Sequence, residues 1–465
     1  MNYAASGDLF APQSASHVNS FGAHPTANQE SEPKSYGSAA PSIIFNEVSI
    51  RPNQSEDAPI TDVPDGGLKA WLVVVGAYLA LFSSFGVVNA YGVFQEYYTT
   101  TLLPNASPSV ISLIGSLQLF ILYGLSPLIG KLFDTYGPNI LLPLGSLIIV
   151  ASMMLLSICQ AGETYQFYLC QGVLFGIGNA LIFTPALAIA GHWFKRKRAY
   201  VIGIIASGSA LGGIVYPILL QRLISSLGFG WAVRVAAFVT MACLCISSLT
   251  IRTNLPLKKE FSLAGAVDFS GFLDVKYTLS AIGAFLGFYA LFIPFFYIES
   301  YGLFQDVDPT LAKYLLVIMN GLGIPARILP GLLADKVGSL NVLIPTMFLS
   351  GVWCFAIWLP SRGAASVTAF AALYGLFSGG FVSLLPSYIA SITPVEKFGA
   401  RLGSIYFVIA IANLVGTPTA GAFLKEIDQK HFEWLIIFTG TLILAGAATF
   451  TAARFVHARS VFARV

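Results

Sequence analysis

The chain has 465 residues, of which 56% are hydrophobic and only 10% are charged, and its formal net charge is +3. Soluble domains carry about 25% charged residues, so this composition argues against a soluble enzyme and indicates lipid as the solvent. The small, dispersed positive charge excludes nucleic acid as a partner, because nucleic-acid binding needs a contiguous basic face.

The amino-terminal segment, residues 1–66, is rich in Ser, Pro, Asn and Glu and contains no long apolar run. Such a segment buries too little apolar surface to fold, so we expect a disordered cytoplasmic tail. It lacks the basic start, the apolar stretch and the small-residue cleavage site of a secretory signal peptide.

From Trp71 onward the chain consists of apolar stretches of roughly twenty residues, the length of a helix that crosses about 30 Å of hydrocarbon. Gly and Pro are frequent within them, as is typical of helices that pack in lipid. This pattern predicts an all-α integral membrane protein with twelve transmembrane helices, at residues 71–95, 110–130, 139–160, 166–190, 200–222, 231–251, 276–299, 310–331, 341–360, 366–390, 402–423 and 433–456.

The distribution of Lys and Arg in the loops predicts the orientation, because cytoplasmic loops retain more positive charge than external loops. With the amino terminus inside, the internal loops carry Lys131, Lys195, Arg196, Lys197, Arg198, Arg252, Lys258, Lys259, Lys276, Lys336, Lys397 and Arg401. The external loops carry only Arg222, Lys313, Arg362, Lys425 and Lys430. We therefore expect both termini in the cytoplasm.

An internal repeat links the loops that follow the second and the eighth span. Residues 130–137 and 331–338 both read Gly-x-Leu-x-Asp-x-x-Gly, and the copies lie six spans apart. Such a repeat predicts two pseudo-symmetric six-helix bundles. We place them at residues 67–251 and 276–456, joined by a cytoplasmic linker at 252–275 and followed by a cytoplasmic tail at 457–465.

The repeated motif resembles the Gly-x-Leu-x-Asp-Arg-x-Gly-Arg loop of the major facilitator superfamily. In the first copy Thr135 and Pro138 replace the basic residues of that pattern, whereas Lys336 keeps a positive charge in the second. The resemblance implies a major facilitator fold that works by alternating access. It also implies that Asp134, Asp335 and Lys336 form a conformational gate; the alternative is that each Asp caps a turn in solvent.

A second resemblance concerns the fungal monocarboxylate-transporter-like branch of that superfamily. Residues 64–71 read Pro-Asp-Gly-Gly-Leu-Lys-Ala-Trp at the start of the first span, which is similar to the signature of that branch. The basic run at 192–198 between the fourth and fifth spans is similar to it as well. Together the resemblances cover the chain from Pro64 to about Arg459.

Arg327 lies within the eighth span, with no acidic residue near it along that helix. Charges inside spans are costly and are therefore candidates for function. In monocarboxylate transporters an arginine at this place is implicated in holding the substrate carboxylate, which a guanidinium fits well. Those proteins have an acidic residue where this chain has Gly323, so proton coupling stays open. A structural arginine bonded to backbone carbonyls is the alternative.

Neutral polar residues at mid-span are further candidates for substrate binding. Asn89, Asn320 and Asn413 are expected to face a central cavity, and helix-helix hydrogen bonding is the alternative. The seventh span is unusually aromatic, with Tyr289 the candidate for substrate contact, and such a wall suits a bulky solute. The other aromatic residues of this span are Phe285, Phe288, Phe292, Phe295, Phe296 and Tyr297.

These features predict a secondary transporter of a small molecule, with a monocarboxylate or another organic anion as the main hypothesis. Efflux of a secondary metabolite or toxin is the alternative, and a solute sensor that does not transport is a third. No catalytic motif, metal-ligand spacing or nucleotide-binding motif is present, so we expect no enzyme activity, metal or cofactor. The sequon at Asn105 predicts glycosylation in an external loop, and we expect a plasma-membrane location.

Overall fold

The computed structural model describes residues 65–254, 267–393, 397–424 and 426–457. Within these ranges the chain is helical, without strands, and twelve helices are long and apolar enough to cross a membrane. Their bounds are α1 (Leu68–Leu102), α2 (Pro108–Tyr136), α3 (Pro138–Leu156), α4 (Thr164–Trp193), α5 (Arg198–Leu227), α6 (Phe229–Thr250), α7 (Val275–Phe304), α8 (Pro309–Val337), α9 (Ser339–Trp358), α10 (Ala364–Ser391), α11 (Phe398–Phe423) and α12 (Gln429–His457).

The predicted number of spans is confirmed, although most helices extend past the predicted apolar stretches. The extension has a local cause in α2 and α8, which are both 29 residues long and begin with a proline in the first turn. The Ser107 side chain accepts a hydrogen bond from the backbone of Val110, and Asp308 does the same for Thr310 and Leu311. Because of these caps, each helix begins just before the apolar stretch that is visible in the sequence.

The two halves of the chain use the same internal packing. In the first half α2 packs on α4, α3 on α4 and α6, and α1 on α5 and α6. In the second half α8 packs on α10, α9 on α10 and α12, and α7 on α11 and α12. Every pair in one half has its counterpart six helices later, so the predicted pseudo-symmetric major facilitator architecture is confirmed.

The main helix pairs that join the halves are α2 with α11, α5 with α8, and α1 with α7. The first two pairs are equivalent under the six-helix offset. Large apolar side chains remain exposed on the outer helices, as Leu147 of α3 and Leu249 of α6 illustrate, at 68% and 72%. Such surfaces suit acyl chains and not water.

Two faces of the bundle are named here by the helix ends that they contain. The proximal face contains the start of α1 and the end of α4, which are joined by a hydrogen bond of 3.0 Å from the Asp65 amide to the Trp193 carbonyl. The distal face contains the end of α1 and the start of α4, where the Gly162 amide donates to the Leu102 carbonyl at 2.9 Å.

Parts of the predicted domain organisation fall outside the described residues. These are residues 1–64 of the expected tail, residues 255–266 of the expected linker, and residues 458–465 at the carboxyl end. The described end of the linker contains a short 3-10 helix, Phe269–Leu273, which is capped by Asp268. Asp268 also pairs with Arg401 of α11 at 3.4 Å, so this segment is attached to the second half.

Candidate substrate-binding site

A small inner cavity of about 40 Å³ lies between the two halves. Its walls are largely aromatic, and the rings contact one another across the halves: Phe85 of α1 lies 6.2 Å from Phe292 of α7, and Tyr123 of α2 lies 5.7 Å from Phe288. Tyr406 of α11 completes the aromatic wall, with its ring centroid 5.4 Å from that of Tyr123. The arrangement suits a flat, largely apolar solute.

Arg327 of α8 supplies the one strong charge of this cavity and is 6% exposed. One of its terminal nitrogens donates to the Gly323 carbonyl at 2.9 Å, one helical turn earlier. Across the described ranges no carboxylate pairs with it. Most of the donor capacity of the guanidinium is therefore available to a ligand, since this group carries five N–H donors.

The remaining polar groups of the inner cavity are neutral. Asn89 donates from its side-chain amide to the Ser209 carbonyl of α5 at 3.1 Å, and both residues line the cavity. The Tyr123 hydroxyl is buried and has no hydrogen-bond partner among the described residues. Unsatisfied buried donors and acceptors are costly unless a ligand or water completes them.

Two irregular helices position this cavity. The regular hydrogen bonding of α1 is interrupted at Ser84 and at Ala90, directly beside Asn89. The equivalent helix of the second half, α7, is interrupted at Phe292. Interrupted helices within a membrane are tolerated where they line a cavity. The break in α7 comes just before Pro294, which is a sequence signal for an interrupted helix, whereas the α1 break has no such signal.

An outer cavity of about 350 Å³ continues from the inner one to the proximal face. The two cavities share Phe183, Leu187, Ile202, Pro386 and Tyr406 in their walls. The outer cavity is lined by the proximal ends of α2, α4, α5, α10 and α11, and its charged or titratable side chains are Lys131, Asp134, His192 and Arg198.

The distal side of the inner cavity is closed by contacts between the halves. The Gln95 side chain of α1 donates to the Phe296 carbonyl of α7 at 3.2 Å, and Ser109 of α2 donates to the Pro418 carbonyl of α11 at 2.9 Å. Gln221 of α5 donates to the Lys313 carbonyl of α8 at 3.2 Å. The structure is therefore a one-sided conformation, open at the proximal face.

The predicted gate residues occupy different surroundings. The Asp335 carboxylate accepts a hydrogen bond of 3.3 Å from the Tyr200 amide in the first turn of α5, which joins the two halves. Asp134, its counterpart in the repeat, lines the outer cavity opposite the start of α11. Lys336 is exposed in the last turn of α8.

The other predicted site residues lie outside the walls of both cavities. Tyr289 contacts Thr419 of α11 at 3.0 Å, and Asn413 donates to the Ile409 carbonyl of its own helix. Asn320 is fully buried and packs against Gly213 of α5. The inner cavity thus unites Arg327 and Asn89 of the predicted set with Phe288, Phe292 and Phe295 of the predicted aromatic wall.

Sequence reasoning missed Tyr123 and Tyr406, which bring phenol groups into the aromatic wall. A tyrosine in the middle of an apolar span is the signal that would have identified them, since its hydroxyl needs a partner there. Asn105 is exposed in the loop between α1 and α2 at the distal face, in a position accessible to modification.

A bundle of twelve apolar helices in two equivalent halves, with a central cavity that opens to one face, is the architecture of a secondary membrane transporter. Residues 71–370 and 306–461 match the sequence profile of the Major Facilitator Superfamily. The chain belongs to this superfamily. It is a multi-pass integral membrane protein of a transporter family, not of an enzyme family.

Curated relatives from fungi match almost the whole chain. The "MFS-type transporter 1" of Ophiocordyceps sp. is 39% identical over 406 residues, 86% of this chain and 90% of that protein. The "Agnestins efflux protein AgnL12" of Paecilomyces divaricatus is 38% identical over 391 residues, 83% and 87% of the two chains. The "Aspyridones efflux protein apdF" of Emericella nidulans is 36% identical over 402 residues, 85% and 80%.

Proposed function

We propose that the protein exports an acidic, aromatic secondary metabolite by alternating access. The observation that carries this proposal is the inner cavity, in which aromatic walls surround the Arg327 guanidinium. Two of the similar proteins are named for efflux, of agnestins and of aspyridones. Those names support the direction of transport, and the cavity supports the chemistry of the substrate.

The charge of Arg327 favours an anionic substrate. A buried guanidinium without a counter-ion loses hydration that one backbone carbonyl only partly replaces. A substrate carboxylate would compensate for this loss through two parallel N–H···O bonds. The aromatic rings would hold the apolar body of the same molecule by stacking.

Uptake of a monocarboxylate is the second candidate, and it too is favoured by Arg327. The two candidates differ in the size of the solute: seven aromatic rings in the wall suit a ring system better than a short aliphatic acid. They are Phe85, Tyr123, Phe183, Phe288, Phe292, Phe295 and Tyr406. We therefore place efflux first.

In the proposed cycle, the bundles at residues 67–251 and 276–456 rock about the inner cavity. The conformation open at the proximal face receives substrate, and the opposite conformation releases it at the distal face. Asp335 and Lys336 hold the α5–α8 junction in the first conformation, and Asp134 forms the equivalent contact with the start of α11 in the second. The rules for charges at helix ends favour both contacts.

The proposed orientation puts the proximal face in the cytoplasm, together with both termini. The predicted internal loops carry twelve Lys and Arg residues against five in the external loops, which supports this orientation because cytoplasmic loops retain more positive charge. We assign the protein to the plasma membrane, where export requires it. Asn105 then lies on the outer side of the membrane, where we expect it to carry a glycan added in the secretory pathway.

Transport by membrane vesicles of both orientations tests this proposal. We expect inverted vesicles to accumulate labelled aromatic carboxylic acids in preference to short aliphatic ones. Arg327→Ala should weaken this accumulation by about tenfold to a hundredfold, because hydrogen bonds to charged groups contribute about 1.5–3 kcal/mol. Arg327→Lys should recover part of it, since the charge remains but the planar fork is lost.

Arg234 provides the matched control, since it is also an arginine within a helix. It donates to Ser157 at 3.0 Å, lies 5.0 Å from the Trp231 ring, and lines neither cavity. Arg234→Lys should leave the substrate preference unchanged. Accumulation of short acids by right-side-out vesicles alone would replace export with the second candidate, and equal transport by all Arg327 variants would remove the anion site.

A further inference from the structure

Glu299 of α7 is a buried carboxylate that the proposed substrate site does not use. Its side chain is 5% exposed, and one carboxylate oxygen has no hydrogen-bond partner among the described residues. It lies one helical turn beyond Phe295, on the distal side of the inner cavity. A buried carboxylate without donors is costly when ionised, so its presence needs an explanation.

A second carboxylate faces Glu299 from the other half of the molecule. Glu96 of α1 accepts a hydrogen bond of 2.6 Å from Ser300, the residue that follows Glu299. Glu96 and Lys313 of α8 are the charged groups near Glu299. Arg362 and Glu433 lie further along the same face, around Tyr301, and pair with each other at 3.4 Å.

The two glutamates lie on a tight seam between α1 and α7. A Cβ atom at Gly92 would lie only 2.6 Å from the Phe295 carbonyl, so the backbones touch there. Gln95 donates to Phe296 in the next turn. Any conformation that opens the distal face must separate this seam, because it joins the two halves directly distal to the inner cavity.

The charge state of Glu299 is therefore linked to the state of the seam. In the closed seam the neutral acid is favoured, because burial and the nearby carboxylate both disfavour the ionised form. Separation of α1 and α7 would admit water to Glu299 and permit its ionisation. By linkage, protons then favour the closed seam and loss of a proton favours the open one.

We propose that Glu299 and Glu96 form a proton-binding site that controls the distal gate. Acidification of the distal side closes the gate and returns the protein to the conformation open at the proximal face. The inference rests on the alternating access of the proposed function, but on neither its substrate nor its direction.

Labelling of a reporter cysteine tests the gate without any substrate. Ser116 is fully buried and contacts Thr417 across the distal α2–α11 junction. In a variant without native cysteines, reconstituted in nanodiscs, Ser116→Cys should react with a maleimide faster as the pH rises. The rate is normalised to Thr101→Cys, an exposed distal residue, to remove the intrinsic pH dependence of the thiol.

We expect the normalised rate to change with pH by up to about tenfold per pH unit, the limit for one linked proton. Glu299→Gln, which mimics the neutral acid, should react slowly at every pH. Glu96→Gln should retain a response that is shifted to lower pH, because without the repelling carboxylate Glu299 ionises more easily. Glu163→Gln, a matched change at an exposed glutamate of the distal face, should behave as the parent protein.

A pH response that persists in Glu299→Gln, or a parent protein without any response, would overturn the proposal. A pH response that depends on Glu299 in a protein that moves no aromatic acid would instead leave the gate standing and remove the proposed substrate. The experiment therefore distinguishes failure of the proposed gate from failure of the proposed substrate.

Discussion

The α5–α8 and α2–α11 junctions are equivalent in the internal repeat, yet the structure closes one at the proximal face and opens the other. At the α5–α8 junction Gly203, the sixth residue of α5, packs directly on the Arg327 carbonyl, and Asp335 binds the first turn of α5. At the α2–α11 junction Gly403, the sixth residue of α11, lines the outer cavity together with Asp134.

The same sequence motif therefore accompanies two different packings in one structure. At each junction a helix has a glycine as its sixth residue and lies near the Asp of the repeat, and only the α5–α8 junction is closed at the proximal face. Under the proposed cycle, α2 and α11 close at the proximal face when the distal face opens. The predictions below test this exchange, starting from the largest expected effect.

A disulfide across the distal α2–α11 junction should lock the described conformation. Ser116→Cys with Thr417→Cys, in a variant without native cysteines, should cross-link on oxidation because these side chains already touch. We expect oxidation to abolish transport almost completely and reduction to restore it. Transport by vesicles is measured after oxidation and again after treatment with a reducing thiol. A cross-linked protein that still transports would show that the distal junction need not open.

Gly203→Val should destabilise the closed α5–α8 junction, since its side chain would meet the backbone of Arg327. Overpacking of this kind costs about 1–3 kcal/mol, and more where backbone must move. We expect a lower Tm in detergent. Gly399→Val is the matched control, because a side chain at Gly399 meets no atom within 4 Å. Equal Tm values for the two variants would show that Gly203 is not closely packed at the α5–α8 junction.

Asp335 should stabilise the closed α5–α8 junction. Asp335→Asn weakens a contact with the first turn of α5, where a negative charge contributes about 0.3–1 kcal/mol. We expect a small drop in Tm in detergent and slower transport, whereas Glu163→Gln, a change at an exposed glutamate, should alter neither. An unchanged Tm for Asp335→Asn would show that this contact does not stabilise the junction.

The smallest effect is expected at Asp65, which precedes α1. Burial alone would raise the pKa of this carboxyl, but hydrogen bonds from the Lys195 and Arg196 amides hold it below its ordinary value. Because the folded pKa is lowered, the stabilisation is present at neutral pH and is lost as pH falls through that pKa. Asp65→Asn should lower Tm slightly at neutral pH and make Tm slightly less sensitive to acid, whereas the exposed-site change Glu163→Gln should do neither; thermal unfolding at neutral and acidic pH measures both effects.

The sequence predicted the fold well because lipid imposes a simple rule on composition. Twelve apolar stretches became twelve helices, and the repeat at 130–137 and 331–338 identified the two halves. Helix ends were less accurate, since caps such as Asp308 lie beyond the apolar stretch. Pro294 marks the α7 break beside Phe292, whereas the α1 break beside Asn89 has no sequence signature.

The candidate site was only partly predictable. Arg327 is identifiable because a lone charge in an apolar helix is costly, and it lines the inner cavity. Asn320 and Asn413, neutral polar residues at mid-span, are instead buried away from both cavities and donate to carbonyls of their own helices. A helix that is apolar on all sides has no pattern that tells a cavity wall from a helix contact. The open proximal cavity depends on how α2, α4, α5, α10 and α11 pack at that face, which composition does not encode.

The most direct test of the account is the charge preference of the inner cavity. We would measure vesicle accumulation of an aromatic carboxylic acid and of its methyl ester, with the parent protein and with Arg327→Gln. The account predicts that the parent protein prefers the acid by about tenfold or more, and that the variant loses this preference. Equal accumulation of acid and ester by the parent protein would contradict an anion site at Arg327.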